Sequence, residues 1–419
     1  MNRKHFIAGC GALVVAASTM AATLDTNRIE QITGLKGKWN AEESVFKISQ
    51  PRSDVKVSVD QWPMPPFMGL TSWAAFKPGM KENAMVMGDL VLFQDEVNPV
   101  MSVLFENGVE VTALHNHFFY DTPKVYFMHI GGEGSVEKLA QGVKAALART
   151  KEIRSQKSQP AESFGRTLSA TSSISPEPLQ QIFTARPDVK DGMAKFVFGR
   201  VTKMPCGCEA GKEMGVNTWA AFAGTDDNAV VDGDFACQED ELQPVLQSLR
   251  KSGINIVAIH QHMTHEQPRY VFLHYWGRGK SVELANAVRL ARGEQSKATA
   301  AAAREAGGFQ EVDAAHFNTH RKDGAVVLDV RSPDEFARGH VAGAVNIDIN
   351  APGFASKVAD FDKSKPILVN CHAGSRGAIA SAELAKLGFK TVCNLEGGLS
   401  AWEKAGNTAE KVESKPQPK

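Results

Sequence analysis

Net charge is missing from this sequence: 47 Lys and Arg residues are balanced by 47 Asp and Glu residues over 419 positions. A balanced field supplies no long-range attraction to nucleic acid or to an anionic membrane, so neither is expected as a partner. Long apolar runs are missing as well. Beyond the N-terminus no stretch approaches the ~18 to 20 uninterrupted apolar residues that a membrane-spanning helix requires, so no span is predicted. Cysteine is scarce, at six residues, and histidine numbers only twelve. The scarce residues are nevertheless clustered, and the clusters carry the chemistry.

The N-terminus reads as a secretory signal over residues 1–22. "MNRKH" is a basic opening, "FIAGCGALVVAAS" a short apolar stretch, and "TMAA" supplies small residues for cleavage near Ala21 or Ala22. This predicts a periplasmic or secreted protein. "IAGC" around Cys10 has the look of a lipoprotein cleavage box, but too few apolar residues precede it. Removal of the leader leaves Cys206, Cys208, Cys237, Cys371 and Cys393. That number is odd, so at least one thiol must stay unpaired.

A chain of this length predicts two to four domains at ~100 to 200 residues each. An internal repeat locates two of them. "TSWAAFKPGMKENAMVMGDLVLFQDEVNPVMSVLFENGVEVTALHNH" matches "NTWAAFAGTDDNAVVDGDFACQEDELQPVLQSLRKSGINIVAIHQH", at a constant offset of 145 residues from Ala84 onward. The units are placed at residues 29–150 and 177–293, joined by a Ser-, Gln-, Lys- and Pro-rich linker at 151–176. An Ala-rich connector, 294–308, leads into a third domain at 309–408 and a tail at 409–419.

Within a unit, Val97, Val100, Met101, Leu104 and Phe105 fall at helical spacing before Gly108, and Leu242, Val245, Leu246 and Leu249 repeat this before Gly253. Flanking β-patterns give the order β-β-α-β-β-α. The prediction is an α+β sandwich with helices on one side of an antiparallel sheet. The third domain alternates short apolar strands ("AVVLDV", "PILVNC", "TVCNL") with helical segments, a small parallel-sheet α/β pattern.

Each repeat keeps three histidines at the same spacing: His115, His117 and His129, then His260, His262 and His274. Three imidazoles can hold Zn, Fe, Cu or Ni and leave a coordination position open. Val109, Val111 and Ala113 alternate into His115 and His117, which predicts that the histidines extend an aliphatic strand face. His129 joins His117 only if the hairpin pairs residues whose numbers sum to an even value. Nearby carboxylates offer a further ligand or base: Asp89 with Asp234, Glu96 with Glu241, and Asp121 with Glu266. His265, standing where the first unit has Tyr120, is a possible extra imidazole. "GINIVAIHQHMTHE" grazes the cupin pattern of Gly, HxH and Glu, but two amphipathic helices per unit argue against that barrel. Cys206 and Cys208, in "MPCGCEAG", have no counterpart in the first unit and are either loop residues or a soft-metal or thiol-exchange pair.

In the third domain "PILVNCHAGSRGAIASAELAKLG" reads as a buried strand ending in Cys371, a small-residue loop, and a helix beginning near Arg376. Backbone N–H groups, a helix N-terminus and a guanidinium all favour thiolate over thiol. Such settings bring a cysteine pKa from ~8.5 into the range of roughly 3.5 to 7.5 that a nucleophile needs. Cys393 lies in a strand pattern and is expected in the core.

"VVLDVRSPDEFARGHVAGAVNI", "CHAGSRG" and "NLEGGLSAW", in that order, resemble the signature segments of a single rhodanese domain. The resemblance implies that Cys371 is a persulfide-forming nucleophile. It implies that His372, Ala373, Gly374, Ser375, Arg376 and Gly377 form an anion-cradling loop, and that Asp329, Arg331, His340 and Gly343 are structural. Gly377 replaces a frequent Ser or Thr, so a hydroxyl contact to the bound sulfur is missing. Only four residues separate Cys371 from Arg376, a tighter ring than the five of dual-specificity phosphatases, which suits sulfane sulfur. The paired units resemble the LppY/LpqO family of exported proteins through "DEVNPV", "GVEVTALHNH" and the "FMH" strand. That family brings no activity with it.

The leading expectation is an exported sulfurtransferase that takes sulfur from a small sulfur anion and passes it to a thiol or other thiophilic acceptor, coupled to a duplicated metal-binding module. The rhodanese domain itself needs no cofactor. The alternatives are a metal-binding or metal-sensing protein, or a metal-dependent enzyme of the repeats, with the rhodanese domain accessory.

Overall fold

The computed structural model describes residues 24–79, 84–165, 167–351 and 353–412; the expected leader, residues 1–22, lies outside the described residues. The first unit runs α1 (Thr26–Thr33), β1 (Gly37–Asn40), β2 (Val45–Pro51), β3 (Thr71–Lys77), β4 (Ala84–Phe93), α2 (Val97–Glu106), β5 (Glu110–His115), β6 (Val125–Gly134) and α3 (Val136–Gln156). The second repeats it as α4 (Pro176–Phe183), β7 (Asp188–Lys190), β8 (Met193–Gly199), β9 (Asn217–Thr225), β10 (Asn228–Cys237), α5 (Glu239–Lys251), β11 (Asn255–His260), β12 (Val271–Gly279) and α6 (Ser281–Ala306).

The two units do not form separate sandwiches. Their strands make one sheet of twelve in the order β1-β2-β3-β4-β6-β5-β11-β12-β10-β9-β8-β7, so the second half mirrors the first. The join is the antiparallel contact of Leu114 with Ile259. Equivalent side chains clamp it from both sides. Asn98 bonds the backbone of Ile256 at 2.8 and 3.1 Å, and Gln243 bonds that of Val111 at 2.8 and 3.3 Å. One apolar core, to which α2, α3, α5 and α6 contribute, runs continuously through both halves.

A β-bulge in each repeat decides where the histidines face. Val109 and Val111 are buried against the helices as their alternation predicts, but the register shifts between Val111 and Ala113. Leu114 therefore turns inward, while Ala113 and His115 fall on the opposite face. The shift between Ile256 and Ala258 does the same for His260. The histidines thus stand on the face away from the helical core, not on the aliphatic face expected from simple alternation. A bulge inserts one residue and re-aims everything after it.

The predicted connectors also differ. Residues 294–306 continue α6 without a break, and α3 runs to Gln156, well into the predicted linker. Ala-rich sequence has high helix propensity, and each extension is tied down. Gln295 donates to the Ala236 carbonyl and to Glu241 at 2.8 and 2.9 Å; Arg154 pairs with Asp95 and, at 2.9 Å, with Glu96.

The C-terminal domain comprises β13 (Gln310–Val312), α7 (Ala314–Lys322), β14 (Val326–Asp329), α8 (Pro333–Arg338), β15 (Val345–Asn346), α9 (Phe354–Val358), β16 (Ile367–Asn370), α10 (Ser375–Lys386), β17 (Val392–Leu395) and α11 (Gly398–Lys404). Its five strands pair in parallel in the order β13-β17-β16-β14-β15. It docks on the second unit, α10 against α6. Arg338 donates to the Thr184 carbonyl at 3.0 Å and the Gly353 N–H to Glu209 at 2.8 Å across the same boundary.

Candidate functional sites: a cysteine loop and two histidine faces

Cys371 follows the central strand β16 at its C-terminal end, where parallel sheets place their ligands. The residue is 1% exposed, and its Sγ accepts a hydrogen bond from the Gly374 N–H at 3.1 Å, at the entry to α10. His372 and Ala373 are exposed beside it. The loop is held down by the "GG" of the last motif. A Cβ on Gly398 (φ +60°) would lie 2.5 Å from the Cys371 carbonyl oxygen and 2.7 Å from the Ala373 nitrogen. Only glycine permits that approach.

The other signature residues form a brace around this loop. Buried Asp329 grips Arg331 through contacts of 2.7 to 3.1 Å, and Arg331 donates onward to the Gly339 carbonyl at 2.6 Å. Ser332 and Glu335 close a capping box at the start of α8. Glu335 then takes both terminal nitrogens of Arg376, each at 2.7 Å. His340 stacks on Phe336 and hydrogen-bonds its carbonyl at 3.0 Å, and Gly343 adopts φ +76°. Arg376 is therefore committed to a carboxylate within the fold, where sequence reasoning had it reaching for an anionic donor. Burial by itself raises the Glu335 pKa, but the Arg376 hydrogen bonds and charge outweigh it and hold the carboxyl at about 2.

Gly377 is explained by its neighbour. A Cβ there would stand 2.0 Å from Asn394 Oδ1. The Asn394 amide donates to the Gly374 carbonyl at 3.0 Å and to Glu311 at 2.8 Å, so this side chain occupies the space and steadies the loop. Cys393 is buried in β17 as expected, and burial raises its pKa. All five cysteines among the described residues are free thiols. Cys206 and Cys208 lie exposed in one turn, with the Cys208 N–H 3.3 Å from Cys206 Sγ; hydrogen bonding from Cys208 lowers the Cys206 pKa.

On the histidine face, the bulge supplies the even-sum register that convergence requires. Ala113 pairs with His129 and His115 with Phe127, whereas upstream of the bulge Val111 pairs with Ile130, an odd sum. His115 and His117 bring their Nε2 atoms to 3.1 Å, and the His129 ring stacks on His115 with centroids 5.1 Å apart. His117 lies flat on Phe127 at 3.4 Å. In the second unit the Nε2 atoms of His260 and His262 are again 3.1 Å apart, and His262 stacks on Phe272 at 3.5 Å. Burial first, then neighbouring imidazoles, lowers the pKa of His115, His117, His260 and His262. His274 shares the face, but its Nε2 is 3.0 Å from Asp232. Met87 occupies the corresponding place in the first unit.

The candidate carboxylates separate into two groups. Asp89 lies directly across from His129 and Asp234 across from His274 in the neighbouring strands. Burial raises both pKa values, that of Asp234 to about 7. Glu96 and Glu241 are instead buried structural anions, paired with Arg52 and Arg200 at 2.7 to 3.0 Å. Asp121 and Glu266 accept the backbone N–H groups of Val125 and Tyr270, which ties down the loops before β6 and β12. His265 stands exposed at a loop corner with φ 65°. Sequence reasoning missed Glu335, Asn394 and Asp232. Glu335 was visible in the S-x-x-E spacing of "SPDE", and Asp232 in the mismatch of the repeats at that position.

Two family models match the chain. Residues 27–149 and 177–293 both match the model described as Domain of Unknown Function (DUF1259), and residues 313–405 match the Rhodanese-like domain. The chain belongs to the DUF1259 family and ends in a rhodanese-like domain. Over that last domain it is 36% identical across 95 residues to the thiosulfate sulfurtransferase GlpE of Pseudomonas fluorescens, covering 22% of this chain and 84% of the relative. It is 38% identical across 89 residues to thiosulfate sulfurtransferase 16, chloroplastic, of Arabidopsis thaliana, covering 19% and 74%. Among solved structures it is similar to the polysulfide-sulfur transferase homodimer of Wolinella succinogenes, at 26% identity and TM-score 0.25, covering 28% of this chain and 87% of that one. Among the described residues no helix is long and apolar enough to cross a membrane.

Proposed function

We propose that this protein is an exported sulfurtransferase in which Cys371 carries the transferred sulfur, joined to a duplicated module that binds one transition metal ion, Zn, Fe, Cu or Ni, on each histidine face. The observation that carries the first part is the Cys371 loop: a thiol hydrogen-bonded by the Gly374 N–H at 3.1 Å, at the N-terminal end of a twelve-residue helix. The similarity to thiosulfate sulfurtransferases supports a thiosulfate-like donor.

The Cys371 thiolate attacks the outer sulfur of the donor. A new S–S bond forms, the donor's S–S bond breaks, and sulfite departs with the electron pair. The persulfide that remains is anionic, and the loop N–H groups at the start of α10 stabilise its terminal sulfur. A thiol acceptor, or cyanide in an assay, then attacks that sulfur and Cys371 leaves as thiolate. Arg376, held by Glu335, keeps the loop in shape as a positioning residue. His372 and Ala373 line the exposed approach. The export reading rests on the N-terminal leader pattern "MNRKHFIAGCGALVVAASTMAA".

Cys371→Ser in the full mature chain should abolish thiocyanate formation from thiosulfate and cyanide, with an unchanged circular dichroism spectrum. Turnover equal to that of the parent chain would remove Cys371 from the reaction. A second reading, a metal-dependent enzyme of the repeats with an accessory rhodanese domain, draws on the placement of both histidine pairs on the face away from the helical core.

A further inference from the structure

The second histidine face is built differently from the three-imidazole set expected of it. His274 is on the right face, but its Nε2 is turned to Asp232 at 3.0 Å. The place it leaves is filled from the neighbouring strand. Asp234 Oδ2 lies 3.4 Å from His262 Nε2, which lies 3.1 Å from His260 Nε2, and one ligand atom of each residue falls within 4.8 Å of the others.

The separations of 3.4 and 3.1 Å match what one ion imposes on its ligands. Atoms about 2.1 Å from a zinc or iron ion stand roughly 3.0 to 3.4 Å apart for bond angles between a right angle and the tetrahedral value. Asp234 supplies a second, independent indication. The residue is 4% exposed, and its other oxygen, Oδ1, has no hydrogen-bond partner. A buried carboxylate oxygen with no hydrogen-bond donor is costly, and a cation is what offsets that cost. One support holds the His262 ring in place: Phe272 lies flat under it at 3.5 Å. Such outer contacts fix ring orientation at metal sites.

Resting on the reading of the repeats as metal-binding, we propose that the second unit binds a first-row divalent transition metal through Asp234, His260 and His262, with His274 held out of the ligand set by Asp232. Two histidines and one carboxylate on one side of the ion leave its remaining positions open toward solvent. That donor set suits zinc(II) or iron(II) with an exchangeable water or a small anionic ligand.

The test uses the untagged mature chain, freed of metal and titrated with Zn(II), then with Co(II) and, anaerobically, Fe(II), with bound metal measured by elemental analysis. Asp234→Asn, which keeps the side-chain shape, should lose one equivalent or weaken its binding at least tenfold. His274→Ala should keep that equivalent. The visible spectrum of the Co(II) form should change in Asp234→Asn and not in His274→Ala. Full stoichiometry and affinity in Asp234→Asn, or loss of the equivalent in His274→Ala, would overturn the ligand set while leaving metal binding by the repeats intact. Absence of binding by the parent chain for all three ions would overturn the site, and absence for Cu(II) and Ni(II) as well would overturn the reading of the repeats as metal-binding. Native circular dichroism in both variants ensures that any loss is local.

Discussion

The cysteine loop and the histidine faces are assembled in opposite ways. Around Cys371 the contacts link a few short motifs: Asp329 to Arg331, Ser332 to Glu335, Glu335 to Arg376, and the N–H groups of Leu399 and Ser400, just after "EGG", to the Cys371 and His372 carbonyls. Most of that geometry follows from local rules of turns, caps and helix N-termini. The histidine faces depend on strand register, on a one-residue bulge, and on carboxylates reached across the sheet. A site of the first kind is recognisable from its motifs. One of the second kind is recognisable only once the pairing is known. The difference predicts that the two sites respond independently, the first to changes in its brace and the second to removal of single ligands.

The largest separation is expected from the histidines. Changing His117 and His262 together to Ala should remove most of the bound metal, while either change alone should remove roughly half, and thiocyanate production should stay at the parent level throughout. Elemental analysis beside the cyanide assay reads both. Coupled loss of sulfur transfer and metal would contradict the separation.

A smaller effect, confined to the C-terminal domain, is expected from Glu335→Gln. It leaves Arg376 without its anionic partner, and breaking a largely buried pair of this kind costs about 3 kcal/mol. Its pH dependence has a definite sign. The folded-state pKa is depressed from 4.5 to about 2, so the pair's contribution is complete above pH 4.5 and is lost as pH falls toward 2. Acid unfolding of the parent should therefore show a stability decline between those limits that the Gln variant lacks. Identical acid profiles would contradict the brace.

Much of the architecture was legible because it is periodic or repeated. The 145-residue offset located both units, helical spacing located α2 and α5, and the βα alternation located the parallel sheet. The fusion into one sheet was not legible. It depends on Leu114 meeting Ile259 and on the Asn98 and Gln243 clamps, and nothing in an isolated repeat distinguishes a joining edge from a free one. The helical continuation of α6 was misjudged as a connector because its Ala and charged residues lack an apolar stripe; Gln295 and Thr299, bonded to buried Glu241, hold it in place. The bulges after Val111 and Ile256 left no mark in composition, and they alone reverse the face on which the histidines stand. Arg376 was legible as a member of the cysteine loop, but its partner lies 41 positions away.

The central claim is that Cys371 carries sulfur, and intact-protein mass spectrometry after incubation with thiosulfate addresses it most directly. The account predicts a mass gain of one sulfur atom, located on the peptide containing Cys371, reversed by cyanide and missing from Cys371→Ser. A parent chain that gains no sulfur, or gains it only on Cys206 or Cys208, would contradict it.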